Sequence, residues 1–335
     1  MRIKLAVLIL AIVLSDLTAC SQSPDCFQED VFCVGLVTDT HSLDDFGVNQ
    51  DTWAGLEQSH VEGVTDQVAY IESVNPKDYE KNIAFFVNSG YDVIVTSGVG
   101  LRDATLHSAD LYPDSVFVGI NQLDDENRPN FISVTFPEDQ MGFLAGALAV
   151  QLTRSKVVGA VCETSGIASM WRYCEGFRAG AKYMDTSVKV FVVYRDNGSS
   201  DKLFIDDAWG YATALELIKS NADVIFAVGG GTAVGAFRAG DEAKIQTIGA
   251  ERDQRAALGG EGSNVVTSIL GQTSSTVQEL MRSLRDGKMT GEQIGQIGYI
   301  PFDKLVSKET VQEMNHLLAW LENGDIKTNI PAEKP

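Results

Sequence analysis

The chain has 335 residues, 46 acidic and 26 basic side chains, and a formal net charge of -20. That balance argues against a nucleic-acid binder and against docking on an anionic membrane face. The length is enough for two lobes with separate cores.

Residues 1–19 read as an export signal. Arg2 and Lys4 form a charged start, and Leu5 to Leu14 is an apolar core too short to span a bilayer. The following Leu17-Thr18-Ala19-Cys20 resembles a bacterial lipobox. By that resemblance the chain is cut before Cys20, the Cys20 thiol carries the lipid, and residues 20–33 form a lipidated tether. No later run is long or apolar enough to span a membrane. An exported lipoprotein is expected, anchored to the cell membrane in a periplasm or on the outer face of the cytoplasmic membrane.

Export permits disulfides. Cys26, Cys33, Cys162 and Cys174 remain after Cys20. Proximity suggests Cys26–Cys33 and Cys162–Cys174, although four cysteines allow three pairings. No cysteine or histidine spacing matches a metal site, so neither metal nor cofactor is expected.

After Cys33 strands and helices alternate. Strands are predicted at Val34–Thr38, Val68–Ser73, Val93–Thr96, Val116–Ile120 and Ile132–Thr135. The helices between and after them are predicted at Gln50–His60, Lys77–Ser89, Leu101–Tyr112 and Glu138–Leu152. A second series has strands at Val157–Cys162, Val188–Tyr194, Val224–Ala227, Gln246–Gly249 and Val265–Leu270. Its helices are Met170–Tyr183, Asp207–Ser220, Thr232–Ala239 and Thr273–Asp286. A short strand from Gly298 and a helix around Thr310–Asn323 end the chain. Such alternation means parallel sheets in an α/β fold.

The two series resemble each other. The stretch Tyr91 to Gly100 aligns with Ala222 to Gly231, and Gly119-Ile120-Asn121 aligns with Gly249-Ala250-Glu251. Two matches at nearly the same offset favour a duplicated lobe. The first lobe is expected over 34–136 and about 269–300, the second over 137–268. Residues 301–335 are expected to pack across both.

The stretch Val34 to Leu56 is the predicted centre of the site. A buried strand empties into a polar loop with Asp39, His41, Asp44, Asp45, Asn49 and Gln50, and a helix follows. Asp44 or Asp45 is a candidate helix cap, but one cap does not use up the loop. Gly98 and Gly230 sit in turns where backbone can approach a ligand. The second glycine stretch lacks the lysine of a phosphate loop, and there is no Gly-x-Ser-x-Gly elbow. No catalytic constellation is visible, and no enzyme is expected.

An ordered set of motifs then points to a family. It comprises Val37-Thr38-Asp39, Asp44-Asp45, Asn49-Gln50, Gly142-Phe143-Leu144-Ala145-Gly146, Arg172-Tyr173, Gly176-Phe177-Arg178-Ala179-Gly180, Gly229-Gly230-Gly231-Thr232 and Asp253-Gln254. Together with the lipobox, these resemble the basic membrane protein family, which includes purine nucleoside receptor lipoproteins of bacterial ABC importers. The resemblance implies a type I periplasmic-binding-protein fold, with two doubly wound parallel-sheet lobes joined by a hinge. It also implies a nucleoside-like small-molecule ligand and ABC permease and ATPase partners. A monomer is expected.

Matched position by position, Asp39 and Asn49 fall on family cleft residues. Val48 replaces a phenylalanine that stacks on the purine, and His41 replaces a glycine. Asn121 stands where Asp is frequent. Glu251 stands where an Asp binds ribose hydroxyls, and Gly271 stands where many members carry lysine. Tyr173, Phe204 and Trp209, with Trp171, are candidates for aromatic ligand surface or for core. These departures keep open a sugar or other small metabolite as ligand, or a ligand sensor coupled to a membrane receptor.

Overall fold

A computed structural model describes residues 24–259, 264–288, 291–302 and 306–335. Cys20 and the export signal lie outside the described residues. Short apolar runs rich in Val and Ile form strands, and longer amphipathic stretches form the helices between them. The first series is β1 Cys33–Thr38, α1 Val48–Val61, β2 Gln67–Glu72, α2 Tyr79–Asn88, β3 Val93–Ser97, α3 Arg102–Leu111, β4 Val116–Ile120 and β5 Phe131–Thr135. The second is α4 Glu138–Leu152, β6 Val157–Cys162, α5 Ala168–Met184, β7 Lys189–Tyr194, α6 Asp207–Lys219, β8 Val224–Val228, α7 Gly230–Ala243, β9 Gln246–Ala250, α8 Gln254–Ala257 and β10 Val265–Gly271. Then come α9 Thr273–Arg285, β11 Gln293–Ile294, β12 Ile297–Tyr299 and α10 Lys308–Glu322.

The strands form two sheets, ordered β11-β5-β4-β3-β1-β2 and β12-β10-β9-β8-β6-β7. Replacing each strand of the first by its counterpart in the second reproduces the same order. Every pairing is parallel except β10 with β12. Turn geometry repeats as well. Gly98 after β3 has φ 107° and Gly229 after β8 has φ 116°. Asn121 after β4 has φ 58° and Glu251 after β9 has φ 70°. The Asp39 N–H donates to the Ser97 carbonyl at 3.1 Å, and the Glu163 N–H donates to Val228 at 3.2 Å. Asp39 and Glu163 are therefore counterparts in the two lobes.

The chain passes between the sheets three times: after β5, after β10 and between β11 and β12. Helix α9 returns to the first lobe and packs on α1, where Asp51 accepts the Ser274 N–H at 3.3 Å. Two expected boundaries need correction. β10 runs on to Gly271, and β12 closes its edge by antiparallel pairing, so 269–271 and 297–299 belong to the second sheet. The C-terminal segment is anchored on the second lobe. There α10 packs on α4, the Thr328 hydroxyl donates to Asp139, and Lys334 Nζ donates to Ser165 Oγ at 2.7 Å.

The core of the second lobe explains two glycine motifs. A Cβ on Gly142 or Gly180 would stand 1.9 Å from the carbonyl oxygen of Tyr173 or Phe143, respectively. Gly146 and Gly176 meet the opposite backbone as closely. Glycine at four-residue spacing on both α4 and α5 lets the helices touch backbone to backbone. Beside that contact Phe177 stacks on Phe226 with ring centroids 5.4 Å apart. Disulfides join Cys26 to Cys33 and Cys162 to Cys174. Among the described residues, no helix is long and apolar enough to cross a membrane.

Candidate functional site: a cleft between facing strand ends

In an open α/β sheet, ligands bind beyond the carboxyl ends of the strands. Here those ends face each other and enclose about 500 Å³, mouth included. The first lobe lines the cavity with Asp39, His41, Asp45, Val48, Gly98 and Asn121; the second with Ile167, Ser169, Met170, Phe204, Gly230 and Glu251. Among the described residues, no lysine or arginine lines the cavity. Tyr173 and Gly271 line an adjoining recess that shares Val48, Asn121 and Glu251 with the cavity.

Two expected contacts are placed elsewhere. Asn49 is buried behind the wall, where its amide donates to Asp39 Oδ1 at 3.3 Å and to the Ser42 carbonyl at 3.3 Å. It braces the loop from the rear. Trp209 lies in the first turn of α6 and packs against the core on the outer face of the second sheet. Its indole is hydrophobic filling, as is common for a half-buried aromatic.

The loop between β1 and α1 is tied at both ends. Asp39 Oδ1 accepts the His41 N–H at 3.0 Å and sits 2.8 Å from His41 Nδ1. Asp45 accepts the N–H groups of Gly47, Asn49 and Gln50, at 2.8, 3.1 and 3.3 Å. It caps α1 and still faces the cavity. Burial pushes its carboxyl up to about 6, against those donors, with Asp39 adding repulsion.

Glu251 stands on the other wall. Its Oε2 accepts the N–H groups of Gly230 and Gly229 at 3.2 and 3.4 Å. Burial pushes its carboxyl up to about 7, and Asp45 and Glu163 add repulsion that those donors only partly offset. Two partly desolvated acids thus face one space from opposite lobes. The Oδ1 of Asn121 is buried beside them with no partner among the described residues. Such a wall calls for a ligand that brings hydrogen-bond donors.

Phe204 supplies an aromatic ring, and its position rests on a buried ion pair. Glu163 Oε1 accepts Arg195 Nε at 2.6 Å. Glu163 Oε2 accepts the Phe204 N–H at 3.0 Å and the Thr232 hydroxyl at 2.7 Å. Arg195 also donates to the Ser199 carbonyl at 3.0 and 3.1 Å. Phe204 itself has φ 61°, and its carbonyl accepts the Gly231 N–H at 2.7 Å. The strained turn is held from both sides. Sequence reasoning passed over Glu163, Arg195 and the cavity role of Asp45. The duplicated pattern held a signal for Glu163, since it follows β6 as Asp39 follows β1.

Among the described residues, two bonds cross between the lobes at the cavity rim. Gln254 Nε2 donates to the Phe46 carbonyl at 3.0 Å, and His41 Nε2 lies 3.0 Å from the Leu203 carbonyl.

Two like lobes closing on an enclosed, donor-seeking cavity define a solute-binding protein. The chain belongs to the Bmp family: the model for PnrA-like ABC transporter substrate-binding proteins matches residues 32–315. It is 30% identical to a CD4+ T-cell-stimulating antigen of Listeria innocua, covering 91% of this chain and 89% of that one. It is 28% identical to the ABC transporter nucleoside-binding protein BmpA of Lactococcus lactis, covering 77% and 76%. A solute-binding protein of an ABC transporter system from Aeropyrum pernix has the same fold, with a TM-score of 0.77. It is 19% identical and covers 90% of this chain and 94% of that one. The type I periplasmic-binding-protein fold is thus established. The family is one of ABC substrate-binding proteins, with small-molecule ligands and permease and ATPase partners, and not an enzyme class.

Proposed function

We propose that this protein captures a purine nucleoside outside the cell and presents it to an ABC permease. The observation that carries this reading is a single cavity with Phe204, Val48 and Met170 as flat apolar surface and Glu251, Asp45 and Asp39 as acceptors. The apolar side suits a base, and the carboxylates suit ribose hydroxyls. Among the described residues no cationic side chain lines the cavity, which disfavours a phosphate, so a nucleoside fits better than a nucleotide. The Lactococcus relative's name is consistent with this reading. A thermal-shift panel of nucleosides, bases and sugars tests it on the chain from residue 21, which keeps every described element. A bound ribonucleoside at about a hundred times its dissociation constant adds roughly 2.7 kcal/mol of stability. Stabilisation by a sugar and by no nucleoside would transfer the site to the sugar alternative.

We further propose that the lipid on Cys20 holds the protein at the membrane, on the strength of Leu17-Thr18-Ala19-Cys20. Cys20→Ser is expected to move the protein to the soluble fraction with its binding intact. A variant still sedimenting with membranes after washing contradicts the anchor.

A further inference from the structure

We propose that His41 is a proton-dependent latch between the lobes: the cleft closes fully only when the His41 imidazolium bonds Asp39 in one lobe and the Leu203 carbonyl in the other. This rests on the reading that the cleft closes over a captured ligand.

The argument begins with the ring nitrogens. Nδ1 is 2.8 Å from Asp39 Oδ1, and Nε2 is 3.0 Å from the Leu203 carbonyl oxygen. An ionised carboxylate and a carbonyl can only accept. Neutral imidazole carries one N–H, so it satisfies one partner and turns a lone pair on the other. Imidazolium donates to both. Asp39, His41 and Leu203 form one chain of contacts from β1 to the loop after β7, and the imidazole is its only interlobe link. The ring is largely enclosed, with its side chain 17% exposed, and meets Phe204 edge-on at 5.3 Å. Opening the cleft breaks the Leu203 bond and leaves the Asp39 bond in place, because Asp39 and His41 share a loop.

The charged surroundings favour the protonated ring. Its own loop supplies Asp39 and Asp45. Helix α2 supplies only the Tyr79 hydroxyl, which accepts the Thr40 N–H at 3.2 Å. Across the cavity stands Glu251, and beneath Phe204 the Glu163–Arg195 pair neutralises itself. The loop carrying Leu203 adds Asp201, Lys202 and Asp206, the last two 3.9 Å apart. Burial pulls the His41 pKa down. The Asp39 hydrogen bond and charge, the Leu203 carbonyl and Asp45 together outweigh it, and the net shift is upward. The open form keeps the Asp39 bond, so the sign is set by what closure adds: the Leu203 carbonyl, which accepts from Nε2–H and favours the imidazolium. The latch is fully present below the open-form pKa and is lost as pH rises through the closed-form value.

His41→Gln tests this, because an amide can donate to Leu203 at any pH but does not titrate. Inosine affinity is measured for both proteins at about pH 6 and about pH 8.5, on either side of the histidine range. Asp45 and Glu251 titrate in both proteins, so the ratio of affinities isolates His41. Wild type is expected to bind about tenfold tighter than His41→Gln at the lower pH, with the ratio falling toward one at the higher. A ratio that does not change with pH overturns the latch. If neither protein binds inosine, the nucleoside reading fails and small-angle scattering of the unliganded proteins decides. The latch then requires wild type to expand more than His41→Gln as pH rises, and equal expansion overturns it.

Discussion

Glu163→Ala is expected to abolish ligand capture and to lower stability by about 3–5 kcal/mol, the usual cost of removing one partner of a buried ion pair. The Arg195 side chain is 1% exposed and would keep its charge with no carboxylate at 2.6 Å. The remaining carboxylate near it, on Asp206, is 3.5 Å away. The Phe204 N–H and the Thr232 hydroxyl would lose their acceptor too. Loss of stability and loss of binding are thus coupled, because Glu163 pairs with Arg195 and also ties down the loop that presents Phe204. Glu163→Gln separates the two effects. It can keep an acceptor for the Phe204 N–H while removing the charge, so it should retain more binding than stability. Urea unfolding with ligand titration checks both. A loss of less than about 1 kcal/mol in Glu163→Ala would mean the pair is not structural.

Glu251→Ala is expected to weaken nucleoside binding by roughly ten- to a hundredfold, the equivalent of about 1.5–3 kcal/mol for a charged hydrogen bond. Its carboxyl is held at about 7, chiefly by burial. A ribose diol donating to it favours the ionised form. Binding through this group therefore releases a proton near neutrality and strengthens as pH rises, the opposite sign to His41. Asp39→Ala should cost a similar factor for a different reason. Asp39 Oδ1 holds the His41 N–H, His41 Nδ1 and the Asn49 amide, so its loss loosens the whole first wall. A change below about twofold in either variant would remove that acid from the groups that hold the ligand.

The fold was legible where hydrophobic periodicity was strong. The apolar runs Val116–Ile120 and Val157–Cys162 became β4 and β6 without change of bounds. So did α4, whose length and glycine spacing are specific. β11 was not visible, because two residues, Gln293–Ile294, carry no period, and tertiary pairing with β5 alone makes them a strand. β12 was visible as a strand but not its sheet, since pairing partners are not encoded locally. In the site, Asp39 announced itself by ending an apolar strand inside a polar loop. Glu163 holds the same place in the second lobe, followed by Thr164 and Ser165, but that polar stretch is short and carries no second acid, so it reads as a surface acid. Only the repeat exposes it. Asn49 was named from the family match and Trp209 for its aromatic ring. What decides their roles is direction: the Asn49 amide turns back into the loop, and Trp209 faces the outer side of its sheet.

Capture of a nucleoside between the lobes is tested most directly by calorimetric titration of the chain from residue 21 with inosine and with 2′,3′-dideoxyinosine. The cavity geometry predicts one saturable site for inosine. Binding of the dideoxy compound should be weaker by roughly ten- to a hundredfold, because two donors to the Glu251 carboxylate are gone. Equal affinity for the two compounds, or no saturable heat with inosine, would contradict it.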